Sequence, residues 1–428
     1  MTDLLIITTL DVEGRNNNRE HHAIKALRSH YDRVTVVYRR RGTGGRAGWA
    51  MLRSETRISV KDGVTFVAVL PALNPPDGAV RLHAHAGGRT ARLRHLLAGL
   101  LDSAGILRDL CTISALAAAA RGRIRTADTL VEAFGPWAST AAGRLRREGL
   151  IRHHVYIDRD YEPGFMVSPL RRRWAGLCES RAAARADLTL SIGGRLADRF
   201  RGISGANVRL SPTGVDLARF RPVIQREPLP RLIFSGEVAP WSGIEEAIAA
   251  LGLLRRRGWD ASLDIHGPCI GPYRAELDRV IGLAGLRAHV VLHGSQPRGA
   301  VLAALERGGI GLAVFRPHPL RIHAAPLKLW EYLAAGLPVL ALSGSEAGDL
   351  VTRSGAGLTC AAEPVAIAET LQRMLGDAAG FAAMSEAGPR AAAGQDWSAV
   401  FAAEQRMLAE LQMGRLGLPG HRPGEALS

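Results

Sequence analysis

Two side chains of opposite charge lie three residues apart in the segment 315–341, which reads FRPHPLRIHAAPLKLWEYLAAGLPVLA. Lys328 is the only lysine after residue 61, and three of the 55 basic residues are lysine, which leaves 52 arginines. A compact ammonium in such an arginine-rich chain indicates contact with a phosphate group. Glu331, one turn into a helix predicted over residues 327–335, could accept hydrogen bonds from two adjacent hydroxyls.

Glycines and helix starts around this segment fit an anionic ligand. Gly236 and Gly243 would let the backbone approach a phosphate closely, and a helix beginning at Ile244 would offer free N–H groups. Pro326 suits the start of the helix that carries Lys328. These features predict an anion site built from two loops and two helix N-termini.

The elements that must position this site form two series of strands separated by helical segments. The first series includes residues 4–8, 34–38, 64–70, 129–134, 154–157, 187–191 and 208–210. The pattern restarts at residues 231–236, after a linker near 222–230. Strands that alternate with helices predict parallel sheets, whose carboxyl ends bind ligands. We therefore predict an α/β chain of two Rossmann-like domains with sheets facing across a cleft.

Composition limits the class of protein. A chain of 428 residues is too long for one ordinary core. The net charge of +15 reflects arginine throughout, which does not indicate a nucleic-acid partner. Four well-separated cysteines and no leader sequence favour a cytoplasmic location. Arginine clusters such as 144–147, with an apolar stretch at 96–120 that contains three charges, leave open a peripheral contact with a membrane.

Motifs for other chemistries are absent from the sequence. There is no G-x-G-x-x-G between a strand and a helix, no Walker loop, no H-E-x-x-H and no G-x-S-x-G. Metal and nicotinamide sites are therefore not predicted.

The segment 315–341 resembles the donor site of family 4 glycosyltransferases of the GT-B fold, in the variety with a PLKLxEYxAxGxPV motif. Collinear segments resemble the same family: Gly14 with Arg19, residues 174–187, residues 212–222 (PTGVDLARFRP), and residues 234–243. The resemblance implies an N-terminal acceptor domain at 1–222 and a nucleotide-sugar domain at 228–395. A helix at 396–413 would cross back to the first domain, and 414–428 would be a disordered tail.

The resemblance implies a retaining glycosyltransferase that moves a sugar from a nucleotide-diphosphate sugar, UDP- or GDP-linked, to a small polar or glycan acceptor. It implies no metal and no other cofactor, and it assigns no catalytic residue. The implied donor-binding residues are Gly236, Glu237, Ser242, Gly243, Arg316, Arg321, His323, Ala325, Pro326, Leu327, Lys328 and Glu331.

Three positions depart from the family pattern. Glu237 stands where arginine is usual, Ser242 where lysine is usual, and His323 where the first of two glutamates is usual. A carboxylate 4 Å from a diphosphate would cost about 1–4 kcal/mol. We expect Arg316, Arg321, Lys328 and the helix N-termini to offset this repulsion.

Polar residues after the first and fifth predicted strands form the predicted acceptor side. They are Asp11, Gly14, Asn17, Arg19, Asp158 and Asp160. Carboxylates at the carboxyl ends of strands could bind hydroxyls or amines.

Two other functions remain open on the same fold. One is a nucleotide-sugar epimerase, which would need no acceptor. The other is a non-catalytic protein that binds a nucleotide sugar, which the three departures favour. Composition is typical of a GC-rich genome and suits specialised metabolism, and the oligomeric state is not predicted.

Overall fold

The computed structural model describes residues 3–13, 19–40, 54–72, 91–269 and 271–414. The chain forms two compact units. Unit 1 comprises residues 1–211 and 401–428, and unit 2 comprises residues 212–400. Each is described separately below.

Unit 1 has a sheet that is parallel except at one edge. Its strands are β1 (Asp3–Thr8), β2 (Arg33–Arg39), β3 (Glu55–Lys61), β4 (Val64–Leu70), β5 (Leu130–Phe134), β6 (His154–Asp158), β7 (Leu188–Ser191) and β8 (Val208–Leu210). In the described ranges the strand order is β3-β4-β2-β1-β5-β6-β7-β8, and β3 pairs antiparallel with β4. The edge strand β3, with mostly exposed side chains, was not predicted.

Helices connect the parallel strands of unit 1. They are α1 (Arg19–Leu27), α2 (Ala91–Arg121), α3 (Pro136–Arg147), α4 (Pro169–Arg185) and α5 (Gly194–Asp198). Parallel strands must be joined by crossover connections, and the helices that form these connections cover the faces of the buried apolar sheet.

The long helix α2 belongs to the core of unit 1. Its stretch Asp102–Arg121 is apolar enough to cross a membrane by length and composition, with a hydropathy of 1.3. Ile113 and Leu116 are nevertheless fully buried against the sheet. Arg171 of α4 also pairs with Asp102 and Asp109 of α2, at 2.6 and 2.9 Å. Packing and buried ion pairs therefore hold α2 as a core helix.

Unit 2 has a parallel sheet of β9 (Arg231–Ser235), β10 (Ser262–His266), β11 (Val290–Gly294), β12 (Ile310–Ala313), β13 (Val339–Leu342) and β14 (Gly357–Cys360). Within the residues described, its order is β11-β10-β9-β12-β13-β14. The helices are α6 (Ile244–Arg256), α7 (Tyr273–Leu283), α8 (Arg298–Glu306), α9 (Pro319–His323), α10 (Leu327–Ala335), α11 (Glu346–Ser354), α12 (Pro364–Gly376), α13 (Ala378–Ala392) and α14 (Trp397–Gln412). The predicted fold of two Rossmann-like domains is confirmed.

The boundary between the units lies earlier than the predicted end of the first domain at residue 222. Val215 and Phe220 pack in the core of unit 2, and Val215 N donates to Gln395 O at 2.8 Å. These contacts assign residues 212–222 to unit 2. The first turn of α14 belongs to unit 2 and the rest of it to unit 1. The predicted tail falls outside the described residues from 415 onward.

Candidate functional site

Helix α10 is anchored to the carboxyl end of β9. The hydroxyl of Tyr332 accepts a hydrogen bond from Ser235 N at 2.8 Å. The Tyr332 ring is fully buried and crosses β12 at Gly311, where an added Cβ would lie 2.5 Å from the ring. The glycine thus gives the tyrosine its space, and this contact fixes the helix that carries Lys328 and Glu331.

The Lys328 ammonium lies among aromatic rings beside the first glycine loop. Its Nζ is 3.5 Å from the Phe234 ring centroid and 4.9 Å from that of Phe315. A Cβ added to Gly236 would lie 3.0 Å from Nζ. Among the described residues this ammonium makes no ion pair. Burial, with a smaller effect from Arg321, holds the Lys328 pKa well below its usual range, although Glu331 opposes the shift.

This arrangement favours an anion near Lys328. Lys328 is partly buried, and a partly buried cation without a counter-charge is costly, so an incoming anion would lower that cost. Gly236, with φ of 137°, occupies backbone conformations that other residues rarely adopt. The ammonium and the glycine loop are therefore suited to hold one phosphate group.

Glu331 is buried and already has a cationic partner. Its Oε1 accepts a hydrogen bond from Arg298 Nη2 at 2.5 Å. Arg298 is the first residue of α8 and is a third exposed. The ion pair restricts the carboxylate to one orientation. Sequence reasoning missed Arg298, because nothing in its own segment indicates a partner on α10.

The second glycine is required by close packing. Gly243 has φ of 73°, and a Cβ there would lie 1.9 Å from Val314 O. Just before it, the buried Ser242 hydroxyl accepts from Ala239 N at 2.9 Å and donates to Glu237 O at 3.0 Å. Ser242 therefore closes its own loop and does not face a ligand, whereas the Glu237 side chain is exposed.

Arg316 is not available to offset the charge of Glu237. Its guanidinium contacts Glu245 at 2.7 Å and Glu246 at 2.5 Å, both in the first turn of α6. The two carboxylates occupy a helix N-terminus, where negative charge is stabilised. The expectation that Arg316 compensates for Glu237 is wrong in this structure, because the two carboxylates already neutralise the guanidinium. The paired acids that open α6 were a signal for this contact.

The remaining predicted donor residues lie on α9 and the approach to α10. The Arg321 guanidinium lies 5.5 Å from the Trp241 ring centroid and 5.7 Å from that of Phe315. His323 Nδ1 lies 2.7 Å from Pro319 O, within its own helix. The half-buried residues that lead into α10 are Ala325, Pro326 and Leu327. Arg321 shares Phe315 with Lys328, which places the two cations in one cluster.

One group in unit 2 has side chains of metal-ligand type. Asp264, His266 and His293 bring ligand atoms within 4.8 Å of one another in the described part of the chain. The two imidazoles stack, with ring centroids 4.2 Å apart and an angle of 6° between the ring planes. An ion lies in the plane of each imidazole that binds it, so two stacked rings do not converge on one ion. Asp264 also accepts from Arg231 Nε at 2.7 Å. That the protein needs no metal stays a prediction.

Two of the predicted acceptor residues are held inside unit 1. Arg19 is buried, with Nη2 2.5 Å from both Ser211 Oγ and Glu404 Oε2. Asp158 is fully buried and accepts from Tyr156, Ser191 and Arg199. The side chains of Arg19 and Asp158 therefore form hydrogen bonds within unit 1. Their burial leaves them inaccessible to an acceptor substrate in this structure.

The other acceptor residues are only partly described. Asp11 and Asp160 are half-buried and follow β1 and β6 at the carboxyl end of the sheet. Gly14 and Asn17 lie outside the described residues. Arg159, which follows β6, pairs with Glu20 of α1, and Glu20 also accepts a hydrogen bond from Thr8 Oγ1 at 3.1 Å. A polar acceptor region at this edge therefore stays a prediction.

Known proteins match both the sequence and the structure. Residues 218–391 match the family model for glycosyl transferases group 1. A comparison with curated proteins finds no match to the sequence.

Solved structures are similar over nearly the whole chain. A sucrose-phosphate synthase from Thermosynechococcus elongatus has a TM-score of 0.69 at 15% identity, covering 97% of this chain and 100% of that one. An α,α-trehalose 6-phosphate synthase from Burkholderia multivorans has a TM-score of 0.65 at 15% identity, covering 100% of both chains. Anabaena HepE, solved in complex with UDP and glucose, has a TM-score of 0.64 at 14% identity, covering 96% of this chain and 100% of that one.

The similar structures show the fold of the chain, and the family model matches a segment of unit 2. At such low identity the solved structures show the fold alone, which is GT-B. The sequence match covers less than half of the chain, and the finer assignment to family 4 stays a prediction. Residues 218–391 thus carry the group 1 glycosyl transferase pattern, within a chain of GT-B fold.

Proposed function

We propose that the protein is a glycosyltransferase that uses a nucleotide-diphosphate sugar as donor. The observation that carries the proposal is the Lys328 ammonium, which lies beside Gly236 without an ion-pair partner among the described residues. A diphosphate would supply the missing counter-charge. Glu331, one turn further along α10, would accept hydrogen bonds from the ribose hydroxyls.

The donor that we favour is a UDP-sugar. HepE, which has the same fold, was solved with UDP and with UDP-glucose. A trehalose-phosphate synthase of this fold was solved with glucose-6-phosphate, which suggests a small polar acceptor here as well. We propose transfer with retention of configuration and without a metal ion, in which cations and backbone dipoles stabilise the leaving diphosphate.

Donor binding without transfer is the second candidate function. The exposed carboxylate of Glu237 and the neutralised guanidinium of Arg316 both favour it. Both features reduce the positive charge available to a leaving diphosphate. Binding would then depend on Lys328, Arg321 and backbone N–H groups.

Titration calorimetry with UDP and GDP, followed by a transfer assay, tests the proposal. We expect UDP to bind the full chain and UDP-glucose to be consumed faster when sugar or sugar-phosphate acceptors are added. Binding without consumption under any acceptor would support the second candidate. Failure of both nucleotides and of their sugars to bind would contradict both functions.

A further inference from the structure

Unit 1 contains a cavity of about 150 Å³ between helices α2, α3 and α4. Its walls include Leu110 and Ile113 of α2, Gly143 of α3 and Trp174 of α4. His154, the first residue of β6, forms part of the lining. The cavity therefore lies at the amino end of the sheet, whereas Asp11 and Asp160 follow strands at the carboxyl end.

Two residues that line the cavity carry buried nitrogen atoms that lack hydrogen-bond partners in the described part of the chain. His154 is 1% exposed, and its Nε2 lies 3.4 Å from Ser139 Oγ. Its Nδ1 and the indole nitrogen of Trp174 have no partner among the described residues. Buried polar atoms in native proteins are nearly always paired. The lining of the cavity therefore includes two residues with unsatisfied hydrogen-bonding capacity.

The lining carries positive charge without any carboxylate. Its four arginines are Arg144, Arg147, Arg181 and Arg185. None of them forms an ion pair within the described part of the chain, and Arg144 donates only to Ser114 Oγ, at 2.9 Å. Burial lowers the His154 pKa to about 4, so that this ring is neutral at pH 7. The charge thus resides on the arginines, where a counter-ion would relieve their repulsion.

The cavity and its charges together define a ligand class. A cavity of about 150 Å³ with apolar walls accommodates one benzene ring. We propose that this cavity binds a small organic anion with an apolar body, a compact aromatic carboxylate, whose carboxylate lies at the four arginines. Such a ligand would be an effector rather than a substrate, because the cavity lies at the amino end of the sheet and not at the carboxyl ends of the strands.

Calorimetry on the full chain with three probes tests the ligand class. Benzoate has both the ring and the charge, benzyl alcohol has the ring alone, and inorganic phosphate has the charge alone. We expect benzoate to bind with one site per chain and at least tenfold more tightly than either of the others. Equal binding of phosphate would overturn the role of the cavity, and equal binding of benzyl alcohol would overturn the role of the arginines. No binding of benzoate would overturn the proposal.

Substitutions at Gly143 test the location. A Cβ added there meets no atom within 4 Å, so Gly143→Leu extends into open space. We expect Gly143→Leu to weaken benzoate binding at least tenfold, and the matched control Gly143→Ala to keep it within twofold. Unchanged binding in Gly143→Leu would place the ligand elsewhere.

A second variant keeps the test informative should Gly143→Leu fail to fold. Arg181→Gln combined with Arg185→Gln removes two exposed charges and should weaken benzoate binding at least fivefold. The matched control is Arg201→Gln, whose side chain is 81% exposed, pairs with Asp198 and lies outside the cavity lining. Equal effects of the double variant and the control would overturn the proposal. UDP binding should stay unchanged in all of these variants.

Discussion

Cations that lie partly or wholly inside the fold have different partners in the two units. In unit 1, Arg199 contacts Glu179 at 2.6 Å and Asp158 at 3.2 Å, and Arg171 contacts Asp102 and Asp109. In unit 2, the Lys328 ammonium lies against the Phe234 ring, with no ion pair among the described residues. Arg171 and Arg199 have their counter-charges within the fold, whereas the Lys328 ammonium has none among the described residues.

The difference separates charges that support the fold from a charge that binds a ligand. A buried ion pair links helices and strands, and its charges are satisfied within the protein. An isolated, partly buried cation makes the fold less stable until an anion binds beside it.

The largest effect is expected from breaking a buried pair in unit 1. Arg199→Ala would leave Asp158 and Glu179 buried without their cation and should lower the free energy of unfolding by about 3–5 kcal/mol. Urea unfolding measures this loss. The UDP affinity of the folded variant should equal that of the wild type. A loss below 1 kcal/mol would show that the pair does not support the fold.

Removing the carboxylate on α10 should affect binding rather than folding. Glu331→Ala should weaken UDP binding at least tenfold, which corresponds to about 1.4 kcal/mol. A UDP analogue without the two ribose hydroxyls identifies the contact. This analogue should bind the wild type more weakly than UDP does. On Glu331→Ala, the analogue and UDP should bind with equal affinity. A variant that still distinguishes the two ligands would exclude the ribose role.

The sequence predicts the local elements of both units, but it does not predict the contacts between distant segments. The strand over residues 64–70 has the predicted bounds, and the helix over residues 244–256 begins at the predicted residue, because their periodicity is local. The bounds of the helix that carries Lys328 also follow from a local motif. The Arg298–Glu331 pair and the neutralisation of Arg316 join elements distant in the chain, which local patterns do not encode. The buried roles of Arg19 and Asp158 were missed for the same reason.

The buried carboxylates of unit 1 should make the free energy of unfolding depend on pH. Burial, with the nearby Asp158, raises the Glu179 pKa to about 8, although Arg199 opposes the shift. The folded state then binds more protons than the unfolded one above the ordinary pKa of 4.5. Stability should therefore be greatest below that value and fall as pH rises towards 8. Unfolding at pH 5 and pH 8 should show a smaller decrease for Glu179→Gln, and an equal decrease would refute this assignment.

The smallest effect is expected at the cavity of unit 1. Gly143→Ala places a methyl group in open space and restricts the unfolded chain. It should raise the free energy of unfolding by about 0.4–1 kcal/mol. Thermal unfolding measures the gain, and a loss of stability would show that the space at Gly143 is filled.

Lys328→Met, measured for both binding and stability, tests the central claim most directly. The variant keeps the apolar stem and removes the charge, and Lys61→Met at an exposed position is the matched control. We predict that the Kd for UDP rises at least tenfold in Lys328→Met only, while its free energy of unfolding is unchanged or higher. An unchanged Kd, or a loss of stability that accompanies weaker binding, would contradict the view that Lys328 is a cation kept for a diphosphate.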